Sequence, residues 1–390
     1  MPALVKGTVG IVPAGALGVS FFYHLTHQLQ KIDGSVFFLE RHGSNTCATL
    51  RGKGELVIAD GPVLHHVPAE SLLKPGLLRC YQSGSLPEVL LVCPNPDQLL
   101  SIISECVELL EAAYEAGTLE TLPLPILVLC SNGIYFQRIR QIFLEKLEEA
   151  TLLGRLPDLW PDIMPKIVAR LLRGVSIQTG IREGSGAATI YRPGPRGITR
   201  IAGGDALNRE RSCALLAGRG GWFEPAPHSS ATRLEFDKAM VNLSSNLLGQ
   251  LYAIDEAGQF RPLTLGQIVV PEHEPEIRDL CQYVFKVGQA VRAYSPTDDF
   301  NALFEWLKQT LRLHQSHIPS SLQWVDLRLR TGGLDPNVTP TEEWLLEPLI
   351  RYARSAGLDE AVQFFEQLKE RSLRKLRLLC ANVPSSDWDI

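Results

Sequence analysis

The stretch Val9-Gly10-Ile11-Val12-Pro13-Ala14-Gly15-Ala16-Leu17-Gly18, VGIVPAGALG, decides how the rest of the chain is read. An apolar run enters a cluster of glycines, and a helical pattern follows it. A glycine lets the backbone come close to a phosphate, and the first turn of the next helix offers free N–H groups and a positive dipole end. Gly15 and Gly18 hold the second and third positions of the G-x-G-x-x-G spacing. Pro13 holds the first, where a glycine usually makes the tight turn. Proline is awkward there only if the residue needs a positive φ or a bonded N–H. By spacing alone the segment 13–18 reads equally as a cofactor loop and as an ordinary strand-to-helix turn.

The second strand adds weight to the cofactor reading. Val36-Phe37-Phe38-Leu39 ends in Glu40-Arg41, about twenty residues beyond the loop. A carboxylate at that place grips the ribose hydroxyls of NAD, and an arginine pairs with the 2′-phosphate of NADP. Both stand side by side, and a solvated ion pair at a strand end accounts for them as well.

Working outward, the first 130 residues alternate between short apolar runs and helical patterns. Residues 4–12, 36–39, 88–93 and 126–130 read as strands, and 16–31 and 97–116 as helices. Continuous apolar strands alternating with helices imply a parallel sheet buried on both faces. Residues 173–204, rich in Gly, Thr and Arg, read as outer strands of that sheet. Beyond about 205 the pattern is helical, over 233–252, 275–292, 298–314, 341–356 and 358–380. The expected fold class is α/β, with a Rossmann-type parallel sheet in residues 1–207 and an all-α region in 208–390.

The 390 residues suffice for two or three domains, with 45% apolar and 21% charged side chains. A net charge of −5 leaves no basic footprint, so nucleic acid is not an expected partner. No apolar run is long enough to span a membrane, and none is expected to contact one. The eight cysteines include no C-x-x-C pair. They read as reduced thiols of a cytoplasmic protein, with no metal site.

In the helical part, Lys238, Asn242 and Asn246 recur at i, i+4, i+8 and share one helix face. Their neighbours Phe236, Met240, Val241, Leu243, Leu247 and Leu248 are apolar. The stripe is either a solvated face or a line of ligand contacts. As chemistry, an ammonium donor beside two neutral amides suits the reduction of a keto acid.

These motifs together resemble the ketopantoate reductase family, within the 6-phosphogluconate dehydrogenase-like class. PAGALG at 13–18 is similar to its glycine loop, and VFFLER at 36–41 to its second strand. Ser131-Asn132-Gly133-Ile134 resembles its N-G turn, RGVSIQTGIREG at 173–184 its first outer strand, and Lys238-x-x-x-Asn242-x-x-x-Asn246 its K-N-N helix. His317-Ile318-Pro319-Ser320-Ser321-Leu322-Gln323 resembles its serine segment, and Thr341-Glu342 its T-E helix. The resemblance spans about residues 8–358. It implies NADPH-dependent reduction of a small 2-keto acid, such as 2-dehydropantoate in pantothenate biosynthesis.

By that resemblance Pro13, Ala14, Gly15, Ala16, Leu17, Gly18, Arg41 and Asn132 contact NADP, with Arg41 on its 2′-phosphate. Lys238 is the general acid, Glu342 its catalytic partner, and Asn132 lies between cofactor and substrate. Asn242, Asn246 and Ser321 bind the substrate, and a homodimer is left open.

Several features depart from the family. Pro13 replaces a glycine, and Cys93-Pro94-Asn95-Pro96 stands where a Val-Lys is usual. Extra residues fall at about 137–170 and 329–340, and the Q-D pair is interrupted as Gln323-Trp324-Val325-Asp326. Two rivals follow from these: a nucleotide-binding sensor or pseudoenzyme with the same fold, and an opine-type dehydrogenase with a larger substrate.

Overall fold

The computed structural model describes residues 4–29, 35–41, 44–157, 159–184, 188–217, 221–331, 333–337, 339 and 341–382. The chain divides into two units. The first comprises Met1–Asn132 and Phe136–Ala231, and the second Gly133–Tyr135 and Thr232–Ile390.

The first unit opens with β1 (Val5–Val12), α1 (Ala16–Leu29), β2 (Ser35–Leu39) and α2 (Asn45–Lys53). A hairpin of β3 (Glu55–Asp60) and β4 (Val63–Pro68) follows, then α3 (Ala69–Leu72), β5 (Leu73–Lys74) and α4 (Leu77–Gln82). Next come β6 (Pro87–Val92), α5 (Leu99–Glu115), β7 (Ile126–Leu129), α6 (Phe136–Leu152) and α7 (Met164–Val168). The unit closes with β8 (Leu171–Ser176), β9 (Gly180–Glu183), β10 (Ile190–Pro193), β11 (Thr199–Gly203), α8 (Ala206–Ala217) and β12 (Phe223–Pro225).

The main sheet runs β12-β11-β8-β7-β6-β1-β2-β5. Its neighbours pair parallel except for β8 with β11. β6 and β7 are buried along their whole length, as continuous apolar strands covered on both faces must be. Each of their leucine and valine side chains contributes about 1.5–3 kcal/mol by leaving water.

One expectation is corrected here. Residues 173–204 do not all join the main sheet. β9 and β10 form a hairpin that pairs with β3 in a separate sheet ordered β4-β3-β10-β9, and the 55–68 hairpin had no reading from sequence. This second sheet lies on α1, where Gly180 approaches so closely that a Cβ would fall 2.2 Å from Ser20 Oγ. The division into two units falls between Ala231 and Thr232. α8 packs on β11 and β12, and β12 extends the sheet by pairing with β11, so this stretch stays with the first unit.

The second unit is helical: α9 (Ala231–Asn242), α10 (Leu248–Ala253), α11 (Leu265–Ile268), α12 (Glu274–Ala290), α13 (Phe300–Leu313), α14 (Ser320–Thr331), α15 (Glu347–Ser355) and α16 (Asp359–Ala381). Its core gathers Phe236, Met240, Leu243, Leu280, Val284, Phe304, Leu346 and Phe365, among others. Two wide π-helical turns interrupt it, at Leu243–Leu247 between α9 and α10, and at Glu342–Leu346 before α15. Such turns cluster at functional sites. In the first, the Ser245 hydroxyl donates back to Val241 O at 2.7 Å and competes with the helix ladder. In the second, Pro348 has no N–H for the carbonyl of Trp344 four residues back. That carbonyl accepts the Ile134 N–H at 3.0 Å.

Candidate functional site

In the first unit, the chemistry-bearing residues gather at the carboxyl edge of the parallel strands. The strand ends stay laddered past their last residues: Cys93 N–H donates to Val12 O, and Cys130 N–H to Val92 O, each at 2.7 Å. Between β1 and α1 the Val12–Pro13 peptide is cis. The two glycines do different work. A Cβ on Gly18 would sit 2.3 Å from Pro13 O, so the first turn of α1 is packed directly onto the strand end. A Cβ on Gly15 would meet only Pro13 Cγ, at 3.9 Å, so that side of the loop is open. α1 carries no acidic residue in its first turn, which leaves the positive end of its dipole uncompensated.

Beyond β2, Glu40 and Arg41 part. The Glu40 carboxylate accepts from Arg51 of α2, from Nε at 2.9 Å and from Nη2 more closely. Arg41 turns to the start of α5. Its Nη1 donates to Gln98 O and Ser101 Oγ, both at 3.2 Å, and its Nη2 to Gln98 Oε1 at 3.1 Å. Arg41 Nε is buried with no partner among the described residues. Both residues line a cleft of about 640 Å³, together with Ser44, Asn45, Arg51, Arg79, Glu105 and Glu108. Burial pushes the Glu105 carboxyl up to about 7, against the pull of Arg41 and with help from Glu108.

Asn132 is exposed just beyond β7, and β6 alone separates β7 from β1, whose end carries the glycine loop. Its turn is tied down by two contacts. The Ser131 hydroxyl donates to Pro94 O. The side chain of Arg173, fully buried on β8, donates to Leu129 O and Gly174 O at 2.7 Å and to Ser131 O at 2.8 Å.

In the second unit, Lys238, Asn242 and Asn246 follow one another along α9 and its π turn. Lys238 is half-buried, and Asn242 and Asn246 are buried. The π turn adds a residue to the local period and swings the positions after it back around the axis. Asn246 thereby meets the start of α14. Its Oδ1 accepts the Ser321 N–H at 3.2 Å and the Ser321 hydroxyl at 3.1 Å, and that hydroxyl also lies 3.2 Å from Asn246 O.

His317, just before α14, is anchored through its carbonyl, which accepts the Leu265 N–H at 2.8 Å. Burial, then His314, then Lys238 hold its imidazole below the usual histidine pKa, which puts Lys238 within electrostatic reach of this segment. The second π turn packs on the first. Gly133 sits at φ 130° against Trp344, where a Cβ would lie 3.0 Å from the Trp344 carbonyl oxygen. The next turn is held by the buried Glu235, whose carboxylate accepts the Tyr135 N–H at 3.2 Å.

The structure thus brings Asn246 and Ser321 into contact, with Asn242 and Lys238 on the same helical run. The backbone of Glu342 begins the second π turn, but its side chain, and so its distance to Lys238, lies outside the described residues. Three residues with a positioning role had no site role read from sequence: Arg51, Arg173, which the sequence placed only in an outer strand, and Glu235. Arg173 and Glu235 carried a signal, a charge set inside an apolar strand or between Leu234 and Phe236 of an apolar helix.

No protein-family model matches the chain, and no curated protein matches it in sequence. Solved structures do. D-mandelate dehydrogenase with NADH and anilino(oxo)acetate is similar over 96% of this chain and 99% of its own, at a TM-score of 0.62 and 14% identity. A probable 2-dehydropantoate 2-reductase from Bacillus subtilis is similar over 95% and 99%, at 0.57 and 14%. Octopine dehydrogenase with NADH and pyruvate is similar over 95% and 89%, at 0.51 and 12%. The architecture is therefore that of a Rossmann-type parallel-sheet unit joined to a helical unit. More narrowly, it is the ketopantoate reductase fold.

Proposed function

We propose that the chain is an NADPH-dependent reductase that converts a small 2-keto acid to its 2-hydroxy acid. One observation carries the reading: Lys238 and Asn242 lie on one helical run with Asn246, and Asn246 is hydrogen-bonded to Ser321 of α14. An ammonium donor beside two buried amides and a serine suits an α-keto carboxylate. The amides and hydroxyl hold the carboxylate, and Lys238 protonates the oxygen on which charge develops. Glu342, carried by the second π turn, orients the substrate hydroxyl or the lysine. Asn132 positions the substrate at the edge where the cofactor loop lies.

The residues of the first unit fit a nicotinamide dinucleotide. Gly15 leaves its side of the loop open, α1 presents an uncompensated positive end, and the cleft beyond β2 holds three arginines. The loop 13–18 would hold the pyrophosphate and the Glu40–Arg41 region the adenosine end. The cofactor, when bound, supplies the two electrons and the hydrogen that reduce the keto carbon. The test is NADPH oxidation followed at 340 nm with 2-dehydropantoate, an aryl-substituted 2-keto acid, and pyruvate with and without L-arginine. Turnover with a 2-keto acid alone supports the reading. Turnover only when an amino acid is added would replace it with an opine-type condensation. NADPH binding without any turnover would leave a nucleotide-binding protein.

A further inference from the structure

We propose that Arg51, through its pair with Glu40, sets which nicotinamide dinucleotide the chain prefers, and that Arg41 serves as a fixed wall of the same cleft. The inference rests on the dinucleotide reading and deepens it. A free carboxylate at the end of the second strand grips the ribose diol of NADH and repels a 2′-phosphate. Here that carboxylate is not free. Glu40 Oε1 takes hydrogen bonds from both Nε and Nη2 of Arg51, on the cleft wall. The pair offsets the Glu40 charge and occupies Oε1, which weakens its repulsion of a phosphate and its grip on a ribose.

Arg51 keeps a hand free. Its Nη1 makes no hydrogen bond among the described residues, and its side chain is 68% exposed. A guanidinium held by one edge presents its remaining donors in a fixed plane, the arrangement that suits a phosphate. Arg41 is placed differently. Both Nη1 donors and one Nη2 donor are spent on Gln98 and Ser101, and its Nε is buried. Its charge reaches the cleft, but its fork does not have two free parallel donors.

The remaining charges agree with an anion. Arg41, Arg51 and Arg79 line the cleft against Glu40, Glu105 and Glu108. The Glu40 charge is offset by its partner, and Glu105 is partly protonated near pH 7. Removing Arg51 takes away a phosphate ligand and uncovers a carboxylate at one stroke.

The experiment measures dissociation constants of NADPH and NADH, by titration calorimetry or nicotinamide fluorescence, for wild type, Arg51→Ala and the double variant Arg51→Ala with Glu40→Gln. Wild type is expected to bind NADPH at least tenfold more tightly than NADH. Arg51→Ala should weaken NADPH by at least thirtyfold and leave NADH unchanged or tighter. The double variant should regain part of the NADPH affinity, because the uncovered charge is gone. An NADPH-to-NADH ratio that stays within twofold of wild type in Arg51→Ala overturns the inference and leaves the dinucleotide reading standing. Equal affinity of wild type for the two cofactors does the same. If wild type binds neither, both fall. Arg51 is largely solvent-exposed, and circular dichroism of each variant separates a binding loss from a folding loss.

Discussion

Lys238 is the residue on which the proposed chemistry turns. It is half-buried, and after burial and His314 its charge helps to hold the His317 imidazole below the usual histidine pKa. Lys238→Ala is expected to lower kcat with the preferred 2-keto acid by 10²- to 10⁴-fold, the usual range for a lost general acid. NADPH affinity should change less than threefold. Stopped-flow turnover alongside calorimetric binding checks both, and a variant that turns over normally removes Lys238 from the mechanism.

Glu105 gives a stability prediction with a definite sign. Its folded pKa, about 7, lies above the ordinary carboxyl value, first because of burial. The unfolded chain therefore loses this proton before the folded chain does as pH rises. The stability linked to the neutral carboxyl is fully present below about pH 4.5 and lost as pH passes through about 7. Glu105→Gln, which stays neutral, should match wild type at pH 5 and exceed it at pH 8. The gain is about 1–2 kcal/mol after allowance for the partial exposure of the group. Urea unfolding at the two pH values decides it; equal differences at both would reject the argument.

At the scale of elements, the strand–loop–helix at 5–29 separates packing from binding. Gly18→Ala forces a methyl onto a backbone oxygen 2.3 Å away, and α1 must lift from β1. A loss of about 1–3 kcal/mol in chemical denaturation is expected, as for overpacked cores, with weaker NADPH binding as a consequence. Gly15→Ala meets no such obstacle, because its Cβ has room. It should cost under about 0.5 kcal/mol, as most surface changes do, yet weaken NADPH at least tenfold by holding the pyrophosphate off the backbone. If Gly15→Ala binds NADPH as wild type does, the loop is an ordinary turn.

The described residues include one core around β1, β6 and β7 and another around α9, α12 and α15. A ligand that binds only the folded first unit stabilises that unit by mass action. At a hundred times its dissociation constant NADPH contributes about 2.7 kcal/mol. For a unit of this size that corresponds to a rise in Tm of about 5–10 °C. Scanning fluorimetry with and without NADPH reads this directly, and a shift below about 1 °C at saturation would count against a cofactor site in this unit.

The parallel sheet and the glycine loop were legible in the sequence because they depend on local signals. Apolar strands of four to eight residues, separated by helical periodicity, specify a buried parallel sheet whatever follows. The helix that carries Lys238 and Asn242 was legible for the same reason, since both keep ordinary helical spacing within α9, whereas Asn246 falls in the π turn where that spacing changes. What the stripe would touch was not. The π turn that carries Asn246 to Ser321, and the second one that carries Glu342, come from competition between local hydrogen bonds and packing, which periodicity does not record.

The second sheet was hidden because β3 and β10 pair across more than 130 positions, and such partners are chosen by tertiary packing on α1. The place of β12 was hidden likewise. Its three residues carry no strand signal of their own and become a strand only against β11. Most of all, Glu40-Arg41 named two cofactors at once. The fold sends the two side chains apart, Glu40 to Arg51 and Arg41 to Gln98 and Ser101, because each partner is whichever group packing brings within reach.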